Sequence, residues 1–561
     1  MKYRHDAEIN VLNRIEANMK VHLTAKIGPL FLGVLFSFTG CVSSNPPSHL
    51  TQAQKLEDFD KMSDVLHKVY PADVLNKKVY GIDLDMTLNA SRAAISEQET
   101  PEEFAGHIDR TLRSLKGSHL WRSDALYHFR DHPFVKRFYH DYVADDAIDI
   151  NHQYTAAMNS SRQPQISIPL LYHDGNYYTK HNFTINGTKY RRGMKLLAVD
   201  GKTPQQILST IQPYLNRFDF DRNIFYGASF GAYVEDNFYV FMNGRRDHIF
   251  KFQDGNNIIT IAVADGEDVE IQRVKSFFFL ERKTVRYFED IRILYIRIPQ
   301  MDESDLPFYL NAIKQNRNRP IRAVVLDVRY NPGGSGRVWM TILQALIAKE
   351  YCWSSKTAIK DTGLVKNYRA RHAQVCGEAG VDGKNYQRQQ LPFLDNEEFL
   401  VETDQSRLTP APDSLKLKVP IYVIAHDVYS ATGSLLTCAK AVDDIVSVGT
   451  RNPHALGNGI DPFHLSLPNS KIIISTATEL DITNCKSPKD VLHSAVEIEV
   501  PMTAAERITY LNDAPSFPGL ITYLWGQYEK QETMFWEDWL VNRDPYFKKV
   551  LNLLGPMNKA Q

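Results

Sequence analysis

Two short stretches of this 561-residue chain hold residues whose types suit attack on a carbonyl group. The first is Asn331-Pro332-Gly333-Gly334, at the end of the apolar, β-branched run Ala323 to Val328. Such a run reads as a buried strand, and paired glycines after it leave backbone N–H groups uncovered, the donors a developing oxyanion needs. A plain connecting turn has the same composition, so this stretch alone leaves both readings open. The second is Tyr429-Ser430-Ala431-Thr432-Gly433-Ser434. It lies between an expected strand, Val419 to Ala425, and an expected helix, Leu435 to Val442, so Ser430 would present its hydroxyl at a strand-to-helix turn near a helix N-terminus. The competing reading is a helix cap, for which Ser434 is the best placed of the three hydroxyl residues. A third candidate is His119, which follows Ser118 just past Gly117, the expected end of a helix. A histidine there can be held in one orientation, although a surface or capping histidine has the same pattern.

Three kinds of element must position these residues. From Thr51 to Trp121 the apolar residues recur at helical spacing: Leu56, Phe59, Met62, Val65, Leu66 and Val69 before Pro71, then Ile108, Leu112 and Leu115 before Gly117. Between Leu126 and Glu281 the pattern changes to short strands, Ile166 to Leu171, Asn176 to Ile185 and Ile258 to Val263, with Asp174-Gly175, Asn186-Gly187 and Asp254-Gly255 as turns. From Ile291 onward strands alternate with helices: Ile291 to Ile298, Leu306 to Asn316, Ala323 to Val328, Val338 to Ala348, Val419 to Ala425. That alternation predicts an α/β layer structure with a largely parallel sheet, in which both candidate turns emerge at the carboxyl ends of strands and can lie side by side.

The chain is 43% hydrophobic and 23% charged with net charge −1, an ordinary globular composition with room for several domains. Lys+Arg 65 against Asp+Glu 66 gives no global attraction to nucleic acid, and no nucleic-acid partner is expected. Ile27 to Phe38 is an apolar run with a basic flank, too short to span a bilayer and suited to a secretory signal. The small residues before Cys41 resemble a bacterial lipoprotein box, which implies lipidation of Cys41, an anchor in the membrane and a place in the cell envelope. Met19 is the expected start. The even set Cys352, Cys376, Cys438 and Cys485 permits two disulfides in three pairings, with Cys352–Cys376 and Cys438–Cys485 as the nearest-neighbour choice and four unpaired thiols as the alternative. Their spacing does not suit zinc.

Asp327-Val328-Arg329-Tyr330-Asn331-Pro332-Gly333-Gly334 resembles the Asp-Leu-Arg-x-Asn-x-Gly-Gly signature of the C-terminal-processing, or tail-specific, serine peptidases and their tricorn relatives. Ser430-Ala431-Thr432-Gly433 falls where that family has its nucleophile, Leu467-Pro468-Asn469-Ser470 is similar to its Leu-Pro-Asn-Gly hairpin, and Asp490 to Val500 to the segment after it. Arg192 to Lys202 with Pro204 to Leu215 resembles the carboxylate loop, strand and helix of a PDZ domain. The resemblance implies a multidomain α/β protein: signal segment 1–41, helical region 42–125, β-rich PDZ-like region 126–284, peptidase core of the crotonase-like, tail-specific type 285–510 and helical tail 511–561. It implies a peptide or protein substrate and no metal or organic cofactor. The processing peptidases pair serine with a lysine, whose place falls in Arg451 to Leu456, where no lysine stands. The tricorn-type pattern of Ser-His and a late carboxylate fits instead, implying Ser430 as nucleophile and His119 as base. Ser118 and Asp490 would then orient them, and the N–H groups of Gly333 or Gly334 with Ala431 would form the oxyanion site. His454 is the rival base. A catalytically silent, peptide-binding relative is the alternative function.

Overall fold

The computed structural model describes residues 46–117, 119–124, 126–127, 138–160, 168–215, 217–227, 247–264, 269–271, 282–376, 386–451, 459–492, 496–513 and 529–556. Cys41 and the whole signal segment, Ser118 and His454 lie outside these residues.

Capping chemistry starts the N-terminal helices where the apolar periodicity places them. Thr51 closes a capping box with Gln54 at the head of Gln52–Val69, and Thr100 does so with Glu103 at the head of Pro101–Ser114, with Pro101 in the first turn. The second of these helices buries Phe104, Ile108 and Leu112 one turn apart, and its exit leads to His119. Asp58, fully buried in the first helix, accepts the N–H groups of Asn469 (2.8 Å) and Ser470 (2.7 Å), which ties the helical region to the Leu-Pro-Asn-Ser hairpin.

The β-rich region forms a five-stranded antiparallel sheet in the order Asn257–Val263, His248–Asp254, Lys195–Val199, Asn176–Thr179, Leu170–His173. Asp174-Gly175 and Asn186-Gly187 both have positive φ at each residue, which is what a two-residue hairpin turn requires. The expected helix is present as Pro204–Thr210, followed by a short 3-10 turn, Gln212–Tyr214.

The core sheet runs Thr284–Phe288, Ile293–Arg297, Ala323–Asp327, Ile421–Ala425, Ile445–Gly449, Ile498–Glu499, parallel throughout except for its first strand. Its central strands are buried at every position, as the unbroken apolar runs demand when both faces are covered. Leu294, Val324 and Leu326 pack beneath the helices Gly336–Leu346 and Ala431–Ala441; Tyr295 and Val325 meet Trp536, Trp539 and Phe547 of the C-terminal helices. A second sheet, which sequence reasoning missed, is antiparallel and contains Trp121–Arg122, Ile473–Asp481, Tyr351–Ile359, Glu397–Leu408 and Tyr386–Leu391, with Gly459–Ser466 paired to Ile473–Asp481. Nearest-neighbour disulfide pairing is not found: Cys352, Cys438 and Cys485 are free thiols, and burial pushes the Cys438 thiol up to about 12.

Candidate active site

Residues 328–335 and 426–430 leave adjacent parallel strands at the same edge and are laced together by Tyr330 N–H to His426 O (2.7 Å) and Tyr429 N–H to Asn331 O (3.0 Å). Asn331, fully buried, organises the glycine turn. Its Nδ2 donates to Ile298 O (2.8 Å), and its Oδ1 accepts the N–H of Gly333 (2.7 Å). Gly333 has φ +96°, and a Cβ there would stand 2.5 Å from Ser430 Cβ and 2.7 Å from Tyr429 O, so only glycine lets the serine turn approach. Gly334, at φ +125°, is bracketed by Met301, which exchanges Met301 N–H to Gly333 O and Ser335 N–H to Met301 O, each 2.9 Å. The oxyanion donors expected from sequence therefore separate. Gly333 N–H is already engaged by Asn331, whereas the N–H groups of Gly334 and Ala431 have no hydrogen-bond partner among the described residues.

Ser430 adopts φ 54°, ψ −124°, an uncommon conformation for a residue with a Cβ, and its side chain makes no capping bond. The helix begins directly after it, at Ala431, four residues earlier than expected. Ser434 is thus inside the helix and not its cap; its hydroxyl donates to Ala431 O (2.7 Å) and accepts from Trp339 Nε1 (3.2 Å). Ser430 stands where the helix dipole and the free Ala431 N–H both favour negative charge.

His119 also has positive φ, 56°, and is buried. Its backbone N–H donates to the hydroxyl of Tyr429 (3.0 Å), the residue before Ser430, and its ring lies 5.2 Å from that of Tyr429 and 5.3 Å from that of Trp121. Burial lowers its imidazole to about 4, so it is neutral near pH 7. Its Nε2 is enclosed without a hydrogen-bond partner. His464, paired across the sheet with Ser475, which pairs in turn with Trp121, lies close enough that burial first and the charge of His119 second hold it at about 3. No hydrogen bond joins His119 to Ser430 among the described residues.

No hydrogen bond or ion pair joins Asp490 to His119 among the described residues. Its Oδ2 accepts the N–H groups of Lys486 (2.9 Å) and Ser487 (2.7 Å), and Asp490 N–H returns to the Ser487 hydroxyl (3.4 Å), a reciprocal cap on the helix Pro488–Leu492. Burial opposes its charge, but these donors outweigh burial and leave its carboxyl below the usual value. Sequence reasoning missed the tether Tyr429, the brace Asn331 and the second histidine, His464. Asn331 had a signal, because an Asx side chain two residues before a turn N–H is well placed to hold it.

A serine turn at the carboxyl end of a parallel strand, packed on a Gly-Gly turn and followed at once by a helix, defines the architecture of an α/β serine hydrolase. Residues 292–485 match the model of peptidase family S41. That segment is an S41 peptidase domain. Among solved structures, a mutant of CPAF is similar over 91% of this chain and 99% of its own, at 13% identity and TM-score 0.50. Mature CPAF is similar over 82% and 95% at 15% identity and TM-score 0.49, and the photosystem II D1 C-terminal processing protease over 82% and 98% at 12% identity and TM-score 0.35. No curated protein matches the chain.

Proposed function

We propose that this chain is an exported serine endopeptidase in which Ser430 attacks the carbonyl of a peptide bond and His119 is the base. One observation carries the reading: Ser430 sits at an uncommon positive φ, uncapped, against a glycine that no other residue could replace without collision, beside two unpartnered N–H groups. In the acylation step the Ser430 Oγ–C bond forms while its proton passes to the neutral His119, whose Nε2 is unpartnered. Gly334 and Ala431 N–H groups receive the oxyanion, each such donor being worth ~3 kcal/mol. The C–N bond breaks as His119 returns the proton to the leaving amine, and water releases the acyl group by the same route. Ser118 would orient His119. Asp490, engaged as a cap, would join only if that cap opened. The resemblance of Cys41 to a lipidation site supports an anchored enzyme in the cell envelope.

Fluorophosphonate labelling of protein lacking residues 1–41, with the adduct located by mass spectrometry, tests the reading. The expected adduct is on Ser430, absent from Ser430→Ala and at least a hundredfold slower in His119→Ala. A folded wild type that takes up no label favours the second reading, a silent peptide-binding relative. The missing Ser430–His119 hydrogen bond and the capping role of Asp490 speak for that relative. Ligand-free catalytic hydrogen bonds are often long, which keeps the first reading ahead.

A further inference from the structure

Beside the serine turn a cavity of about 330 Å³ opens where the helical region, the β-rich region and the peptidase core meet. Its near wall is made by sequence neighbours of His119, Ser430 and the glycine turn. Leu120 and Trp121 follow His119, Val428 and Tyr429 precede Ser430, and Pro332 precedes Gly333. Pro213 and Leu215 of the β-rich region close the far side. The volume is at the lower end of the roughly 300–1,000 Å³ typical of small-ligand pockets, enough for one large side chain and not for a folded segment.

Four charged residues line this space, yet each already has a partner. Arg113 pairs with Asp109 (2.7 Å), the buried Lys116 amine donates to the carbonyls of Gln212 and Leu215 (2.6 Å for the latter), and Arg217 pairs with Asp427. Carboxylates neutralise Arg113 and Arg217, and burial holds the Lys116 amine well below its ordinary value, so a charged guest would lose its hydration for little counter-charge, whereas an apolar one only leaves water. Trp121 and Tyr429 present rings 6.3 Å apart at 45°, a tilted pair that favours contact with a further aromatic ring.

We infer that this cavity is a substrate subsite for one large aromatic or aliphatic side chain flanking the bond that Ser430 attacks. Its placement beside the scissile bond rests on the nucleophile reading above; its preference for an apolar guest does not. The test uses Ser430→Ala protein and three fluorescein-labelled alanine heptapeptides whose central residue is phenylalanine, alanine or aspartate, with binding followed by fluorescence polarisation. The phenylalanine peptide is expected to bind at least tenfold more tightly than the alanine peptide and the aspartate peptide more weakly than both. Trp121→Ala should cut the phenylalanine preference to below threefold, and Trp121→Phe, which keeps a ring in place and guards against loss of fold, should retain most of it. Equal binding of the three peptides, or a preference untouched by Trp121→Ala, overturns the subsite. If the preference holds while wild-type Ser430 takes no phosphonate label, the subsite stands and the nucleophile reading falls.

Discussion

At the scale of single residues, the glycine turn gives the sharpest expectation. Gly333 does not donate to the reaction, since its N–H is held by Asn331, but its missing Cβ is what lets the Ser430 turn pack against the glycine turn. Gly333→Ala places a methyl group 2.5 Å from Ser430 Cβ at φ +96°. Strained backbone of this kind costs about 1–3 kcal/mol, so the variant is expected to stay folded while its labelling rate falls at least a hundredfold. Thermal melting beside labelling kinetics checks this; an unimpaired rate would remove Gly333 from the account. The Gly-Gly pair was legible because glycine reports a backbone conformation directly. The positive φ of His119 and Ser430 leaves no such mark, because nothing in the residue type demands it. Asp490 shows the opposite failure: Ser487-x-x-Asp490 has the spacing of a helix cap, and a capping carboxylate and a catalytic one look alike in sequence.

At the scale of elements, both reactive loops are fastened to the same few residues of the β-rich region. Lys116, three residues before His119, is buried and donates to Gln212 and Leu215 carbonyls, and Arg217 pairs with Asp427, three residues before Ser430. Burial first, then the nearby Arg113, holds the Lys116 amine well below its ordinary value. Lys116→Met leaves two carbonyls without a donor, which costs about 1–3 kcal/mol. The His119 turn should then lose its register, so labelling of Ser430 is expected to slow about tenfold, with Lys116→Arg recovering part of the rate. A melting temperature lowered without any change in labelling would reduce Lys116 to a structural tie. None of this was visible in the chain, because a lysine at a helix end reads as a charge meeting the helix dipole. The alternating strands of the core were readable from their unbroken apolar runs. Strands such as Tyr386–Leu391, Tyr-Gln-Arg-Gln-Gln-Leu, were not, because they are partly exposed and carry almost no apolar alternation.

At the scale of the whole molecule, the layers are joined by buried polar groups, and those that titrate set how the fold responds to acid. The glycine-turn strand is held to the C-terminal helices by Arg329, fully buried, which bonds Asp327, Tyr510 (2.8 Å) and Asp544 (2.5 Å) and keeps its charge at any ordinary pH. The histidines behave otherwise. His119 beside the helical region, His426 on the core sheet and His464 in the second sheet are all held below the usual imidazole value, chiefly by burial; His119 lies at about 4 and His464 at about 3. Each is neutral in the folded chain and free to protonate in the unfolded one near pH 6.5. The unfolded state therefore binds more protons as pH falls below 6.5, and the stability present above that value is lost progressively until the folded groups protonate too, at about 4 for His119. Each histidine contributes a slope of up to ~1.4 kcal/mol per pH unit, so at pH 5 His119 and His464 together should remove on the order of 4 kcal/mol, with His426 acting in the same direction. Carboxylates act in the same direction, but mainly below pH 5, which leaves pH 7 to 5.5 as the window that isolates the histidines. Urea unfolding across that window should show the stability falling, and His464→Asn should flatten the slope. A stability constant from pH 7 to 5.5 would mean that these rings reach water in the native state, and the neutral base assigned to His119 would lose its physical ground.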